Sequence, residues 1–185
     1  QHVPYLDEQS KQRGYKLAVV GNTFVYPIVA YSKKIKNLAE LQNGSTIVIP
    51  NDPTNGGRSL LLLQKNGLLK LKESVGLLPK VTDIIANPRQ LKILEIEAPQ
   101  LPAVLDDKQV SIAIINNNFA AQAGLNAEKF GIMKEDKESP YVNVIVARQD
   151  NKNLKKVKNF VKAYQSSAVE KVALKAFKNG AVKGW

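Results

Sequence analysis

The chain has 185 residues, 44% of them apolar, and carries 27 Lys/Arg against 16 Asp/Glu, a formal net charge of +11. That length supports a real core in one or two domains. The absence of cysteine excludes disulfides, thiol catalysis and Cys-based zinc or iron–sulfur sites, and no run of about eighteen apolar residues is present to span a membrane.

The chain begins at Gln1-His2-Val3-Pro4 with no initiator Met and no signal peptide, and so reads as processed, trimmed or incomplete. Residues 6–13 read as a short helix ended by Gly14, and 15–20 as a strand. Residues 24–31 form a second extended run whose Pro27 marks an edge or an irregular crossing. Residues 37–41 make a helical turn, closed by Asn43-Gly44 before a β-branched strand, Thr46-Ile-Val-Ile49. The polar segment Asn51-Asp-Pro-Thr-Asn-Gly-Gly-Arg58 then opens a leucine-rich helix, capped by Thr54 or Asn55 and stopped at Asn66-Gly67.

Beyond Gly76 and Pro79, residues 80–86 read as a short helix, 91–96 as an alternating strand, and 98–105 as a short helix with prolines near its start. Residues 110–115 read as a strand, apolar but for Ser111, followed by Asn116-Asn117-Asn118 and a small helix over 119–123. Residues 141–147 form another strand. Two basic amphipathic helices finish the chain; the second has a capping box, Ser167-x-x-Glu170, and stops at Asn179-Gly180. Buried strands alternating with helices predict an α/β fold with a largely parallel sheet, whose ligands sit at the carboxyl ends of strands.

The strand, polar turn and helix start at 46–58 have the makings of an anion site, because unpaired backbone N–H groups and the helix dipole point outward at such a junction. Arg58, placed in the first helical turn, can grip a carboxylate or phosphate in bidentate fashion. The P-loop spacing is absent. An ordinary turn with a surface arginine is the other reading of the same spacing. From Arg148 to Trp185 there are ten Lys/Arg against two acids, Asp150 and Glu170, a net +8. Those lysines alternate with an apolar stripe, Leu154, Val157, Phe160, Val161 and Tyr164, then Val169, Val172, Ala173, Ala176 and Phe177, which is the pattern of a solvated outer face. With arginine scarce and the aromatics on the apolar stripe, nucleic acid is not the favoured partner.

Catalytic groups are few. The single histidine, His2, lies at the terminus, so a histidine-centred triad or multi-histidine metal site is not available. Asp106-Asp107 and Glu135-Asp136 are adjacent acids in polar loops and read as solvated surface. Ser59 and Ser139 have no base nearby in sequence, and capping or turn roles account for them. What remains suits binding: one arginine, strand-end asparagines and aromatics.

Several motifs together resemble the periplasmic methionine-binding lipoproteins of the NlpA/MetQ type: His2-x-Pro4-Tyr5-Leu6, Gly21-Asn-Thr-Phe-Val-Tyr-Pro27, Tyr31-Ser-Lys-Lys-Ile35, Asn51-Asp-Pro-Thr-Asn-x-x-Arg58, Glu138-Ser-Pro-Tyr-Val-Asn143 and Gly180-Ala-Val-Lys-Gly-Trp185. The resemblance covers the whole chain. It implies a type II periplasmic-binding-protein fold, two α/β lobes joined by two crossings that close on ligand. Lobe one would comprise residues 1–42 and 139–185, incomplete at its N-terminus, and lobe two residues 43–138.

The resemblance also implies a non-enzymatic, monomeric receptor with no cofactor and no metal. Its partners would be methionine, in the L and possible D forms, and an ABC permease with its ATPase; it would be periplasmic, held to the membrane by an N-terminal lipid outside this sequence. The family's ligand set maps onto Arg58 for the α-carboxylate, Asn116 and Asn143 for the head group, and His2 and Tyr5 for the side-chain pocket. One departure is Asn116-Asn117-Asn118-Phe119 where members commonly have Asn-Thr-Thr-Tyr. Two other classes stand beside this one: an enzyme on a two-lobed fold acting on a small anionic metabolite, and a basic surface protein using the +8 tail on anionic polymers.

Overall fold

A computed structural model describes residues 1–136, 139–177 and 180–185. In chain order the elements are α1 (Val3–Arg13), β1 (Leu17–Val25), β2 (Val29–Tyr31), β3 (Thr46–Pro50), α2 (Pro53–Lys65), β4 (Lys70–Leu71), β5 (Ile84–Ala86), β6 (Lys92–Ile96) and β7 (Val110–Ile115). There follow α3 (Asn117–Gln122), α4 (Ala127–Phe130), β8 (Gly131–Lys134), β9 (Val142–Arg148), α5 (Lys155–Tyr164), α6 (Ser167–Ala176) and β10 (Val182–Lys183). They form two compact units, a middle one of residues 28–135 and a terminal one of residues 1–27 and 136–185.

The middle unit is built on a five-stranded sheet of order β6-β3-β7-β2-β8. Its central strands are apolar at every position but Thr46 and Ser111, because both faces are covered. Along β3, Ile47 and Ile49 face one core with Leu60 and Leu63 of α2, while Val48 faces the other with Leu101 and Leu105. The same alternation divides Ile112 and Ile114 of β7 from Ala113 and Ile115. β3 runs parallel to β6 and to β7, but β2 is antiparallel to β7 and to β8. The sheet is therefore mixed rather than largely parallel. Apolar runs disclose burial, but they carry no mark of the neighbour or its direction.

β2 also moves the boundary. Residues 28–42 were expected with the terminal segments, yet β2 supplies a ladder to both β7 and β8, so the middle unit begins at Ile28. The helix expected over 80–86 is a 3-10 turn, Val81–Asp83, leading into β5, which pairs with β4. The one expected over 98–105 is two 3-10 turns, Ala98–Gln100 and Ala103–Asp106.

The terminal unit has a three-stranded antiparallel sheet, β10-β1-β9. α1 ends at Gly14, whose φ of 67° is a conformation few side-chain-bearing residues adopt. Against the sheet, Phe24 packs with Trp185 at 4.9 Å between ring centroids and Tyr26 with Phe177 at 4.6 Å. Ser166, one residue before the expected cap, closes the start of α6 by accepting from the Val169 N–H. That helix ends at Ala176, and the expected stop at Asn179 lies outside the described residues. The lysines of α5 are exposed as expected, but the stripe is only partly covered: Phe160 is 57% exposed and Val172 68%.

Candidate functional site

The junction of β3 and α2 is set by its caps. Asp52 is the N-cap residue and Pro53 takes the first helical position, where a missing N–H costs nothing. This replaces the expected caps, Thr54 and Asn55, which instead bond to Asp52: its Oδ1 accepts from the Asn55 N–H at 3.0 Å and from Thr54 Oγ1 at 2.9 Å. The Asn55 side-chain amide also donates to both carboxylate oxygens, at 3.1 and 3.0 Å. A negative cap already balances the positive end of the helix dipole. The helix start is thus not the open anion site its sequence suggested, and anion recognition falls to a side chain. With α2 beginning at Pro53, Arg58 lies in the second turn, not the first.

Arg58 is 4% exposed. Its Nε donates to Glu135 Oε1 at 2.9 Å and its Nη2 to Oε2, a two-pronged pair. The Glu135 side chain is 14% exposed, so the expectation of a solvated acid fails for this residue. Sequence reading gave no sign of it, because Arg58 and Glu135 are 77 positions apart. For Asp106 the same expectation holds: it is 72% exposed and pairs with Lys33 on the surface.

Asn116 stands at the carboxyl end of β7, at the N-cap of α3. Its Nδ2 donates to Asn55 Oδ1 at 2.9 Å. Asp52, Asn55 and Asn116 therefore form a chain that fixes one strand end against the helix following another. The Asn116 Oδ1 is buried and without a hydrogen-bond partner among the described residues. A buried orphan acceptor is uncommon, since leaving one costs about 1–3 kcal/mol. An incoming N–H donor would satisfy it.

In the terminal unit, His2 is buried (5% exposed) although it is the second residue of the chain. It caps α1, with Nδ1 accepting from the Tyr5 N–H at 3.2 Å. That acceptor role assigns the lone pair to Nδ1. Its ring lies edge-on to Tyr141 at 5.2 Å and to Tyr5 at 6.1 Å. A β-bridge joins His2 to Asn143 of β9, and the Asn143 carbonyl accepts from Thr23 Oγ1 at 3.0 Å. Tyr141 falls in the motif that ends at Asn143, and it joins this framework through its contact with His2.

The structure thus brings Arg58 and Asn116 into one framework in the middle unit, and His2, Tyr5 and Asn143 into another in the terminal unit. Ser59 and Ser139 have the local roles expected of them, bonding respectively to the Asn55 carbonyl and from the Tyr141 N–H.

The D-methionine-binding lipoprotein MetQ of Escherichia coli K12 is 65% identical over 185 residues, all of this chain and 68% of the relative. A crystal structure of the methionine binding protein MetQ superposes with a TM-score of 0.94 at 65% identity, over 100% of this chain and 76% of that one. A nutrient binding protein from Burkholderia cenocepacia, solved bound to methionine, gives 0.94 at 47% identity, over 100% and 77%. These are substrate-binding proteins of the two-lobed periplasmic type. A sequence model of the NlpA lipoprotein matches residues 1–185, and the chain belongs to that family.

Proposed function

We propose that this chain is the ligand-binding part of a methionine receptor that delivers its ligand to an ABC importer. The receptor acts as a non-enzymatic monomer in the periplasm, tethered by an N-terminal lipid. The observation that carries the reading is the 65% identity to a D-methionine-binding relative along all 185 residues. The chemistry of the two frameworks supports it. Arg58 offers a buried guanidinium to the α-carboxylate, and Asn116 has an acceptor suited to the ammonium. Asn143 contributes to the head group, and His2 and Tyr5 supply aromatic surface to the thioether.

Calorimetry of the full-length protein with L- and D-methionine tests this. Submicromolar to micromolar binding of at least one enantiomer is expected. Arg58→Ala should weaken it by about 2–5 kcal/mol, the usual cost of truncating a buried hydrogen-bonded charge partner. Binding of both enantiomers weaker than about millimolar, with another metabolite held tightly, would refute the methionine assignment.

A further inference from the structure

Arg58 is buried and already engaged by a carboxylate, and that carboxylate belongs to the protein. Glu135 Oε1 and Oε2 take the Arg58 Nε and Nη2 donors. Glu135 is itself held in place: its N–H donates to the Ile28 carbonyl at 3.1 Å, and its Oε2 accepts from the Ile28 N–H at 3.3 Å. Ile28 and Glu135 are the first and last residues of the middle unit. A buried guanidinium without a counter-charge is costly, so a receptor that keeps one for its ligand must balance it while empty. A ligand carboxylate arriving at the same guanidinium meets a like charge there, and close carboxylates repel strongly away from water.

We propose that Glu135 is a placeholder carboxylate. It stands in for the ligand's α-carboxylate on Arg58 when the receptor is empty and competes with it when ligand arrives, setting affinity below the maximum and easing release. This rests on the reading of Arg58 as the carboxylate clamp. A purely orienting role for Glu135 makes the opposite prediction, because loss of an orienting partner weakens binding.

The test uses full-length protein and isothermal titration with methionine and with methioninamide, which lacks the carboxylate. Glu135→Gln keeps the side chain's size and one acceptor oxygen and removes its charge. The placeholder predicts methionine binding at least about fivefold tighter, and methioninamide, a cation with no carboxylate to compete, bound no tighter. Weaker or unchanged methionine binding by a folded Glu135→Gln protein overturns it, as does equal tightening for both ligands. Should Glu135→Gln fail to fold, Glu135→Asp draws the charge back by one methylene and should tighten methionine binding more modestly; weakening overturns the proposal. If neither variant folds while the wild type is stable, Glu135 is a structural counter-ion and the proposal fails. Absence of methionine binding by the wild type refutes the receptor reading and the placeholder with it. Wild-type binding with a weaker Glu135→Gln refutes the placeholder alone.

Discussion

Burial decides what individual side chains do here, and two tyrosines report it independently of any ligand. Desolvation pushes the phenol of Tyr31 up to about 12 from the usual 10. Tyr26 is also pushed to about 12, first by burial and then by the neighbouring Tyr164. Both shifts favour the neutral phenol in the folded state. Each contribution to stability is therefore intact below pH 10 and is lost as pH rises through about 12, since the unfolded chain releases its proton first. In an alkaline absorbance titration, Tyr31→Phe and Tyr26→Phe should each remove a phenolic transition near pH 12. An unchanged curve in that region would refute the assignment. The same burial logic marks the limit of sequence reading at the site. The positions of Arg58 and Asn116 were legible, because each follows an apolar strand that the sequence marks. Glu135 was not, because burial beside an arginine 77 positions away is created by the fold. The Asp52 cap was written in the Asp-Pro pair and was missed in favour of the residues after it.

At the level of elements, the placement of Arg58 depends on how closely α2 abuts β3. Gly56 makes that approach possible: a Cβ there would lie 2.8 Å from the Pro50 carbonyl oxygen, a backbone atom that cannot rotate away. Alanine is ordinarily favoured over glycine within a helix by about 1 kcal/mol. Overpacking against fixed structure costs about 1–3 kcal/mol, so the clash should win. Gly56→Ala is expected to lower stability by up to about 2 kcal/mol in urea unfolding with an unchanged m-value, and to weaken methionine binding because the helix start shifts. A gain in stability would show that α2 can back away from the strand. Element identity was largely readable from apolar runs and caps: β3, β7, α2 and both C-terminal helices fall where periodicity put them. Pairing was not. The antiparallel insertion of β2 between β7 and β8 is a non-local choice, and short edge pieces such as β8 and β10 have too few residues to show a period.

For the whole molecule, the net charge of +11 is large enough to draw polyanions nonspecifically, and salt dependence separates that attraction from the proposed function. Methionine is a zwitterion with no net charge near neutral pH, so the overall field neither steers it in nor holds it. Its carboxylate would be gripped at Arg58, 4% exposed, where mobile ions screen little. A protein that instead binds a phosphate polymer through several lysines loses affinity by about 10³–10⁵ between roughly 50 and 200 mM salt, because binding releases condensed counterions. Methionine affinity should therefore change by less than about threefold over that range, while any retention on a polyanion column falls steeply. A methionine affinity that followed the polyanion slope would mean that the ligand is held by the exposed lysines of α5 and α6, and Arg58 would lose its role.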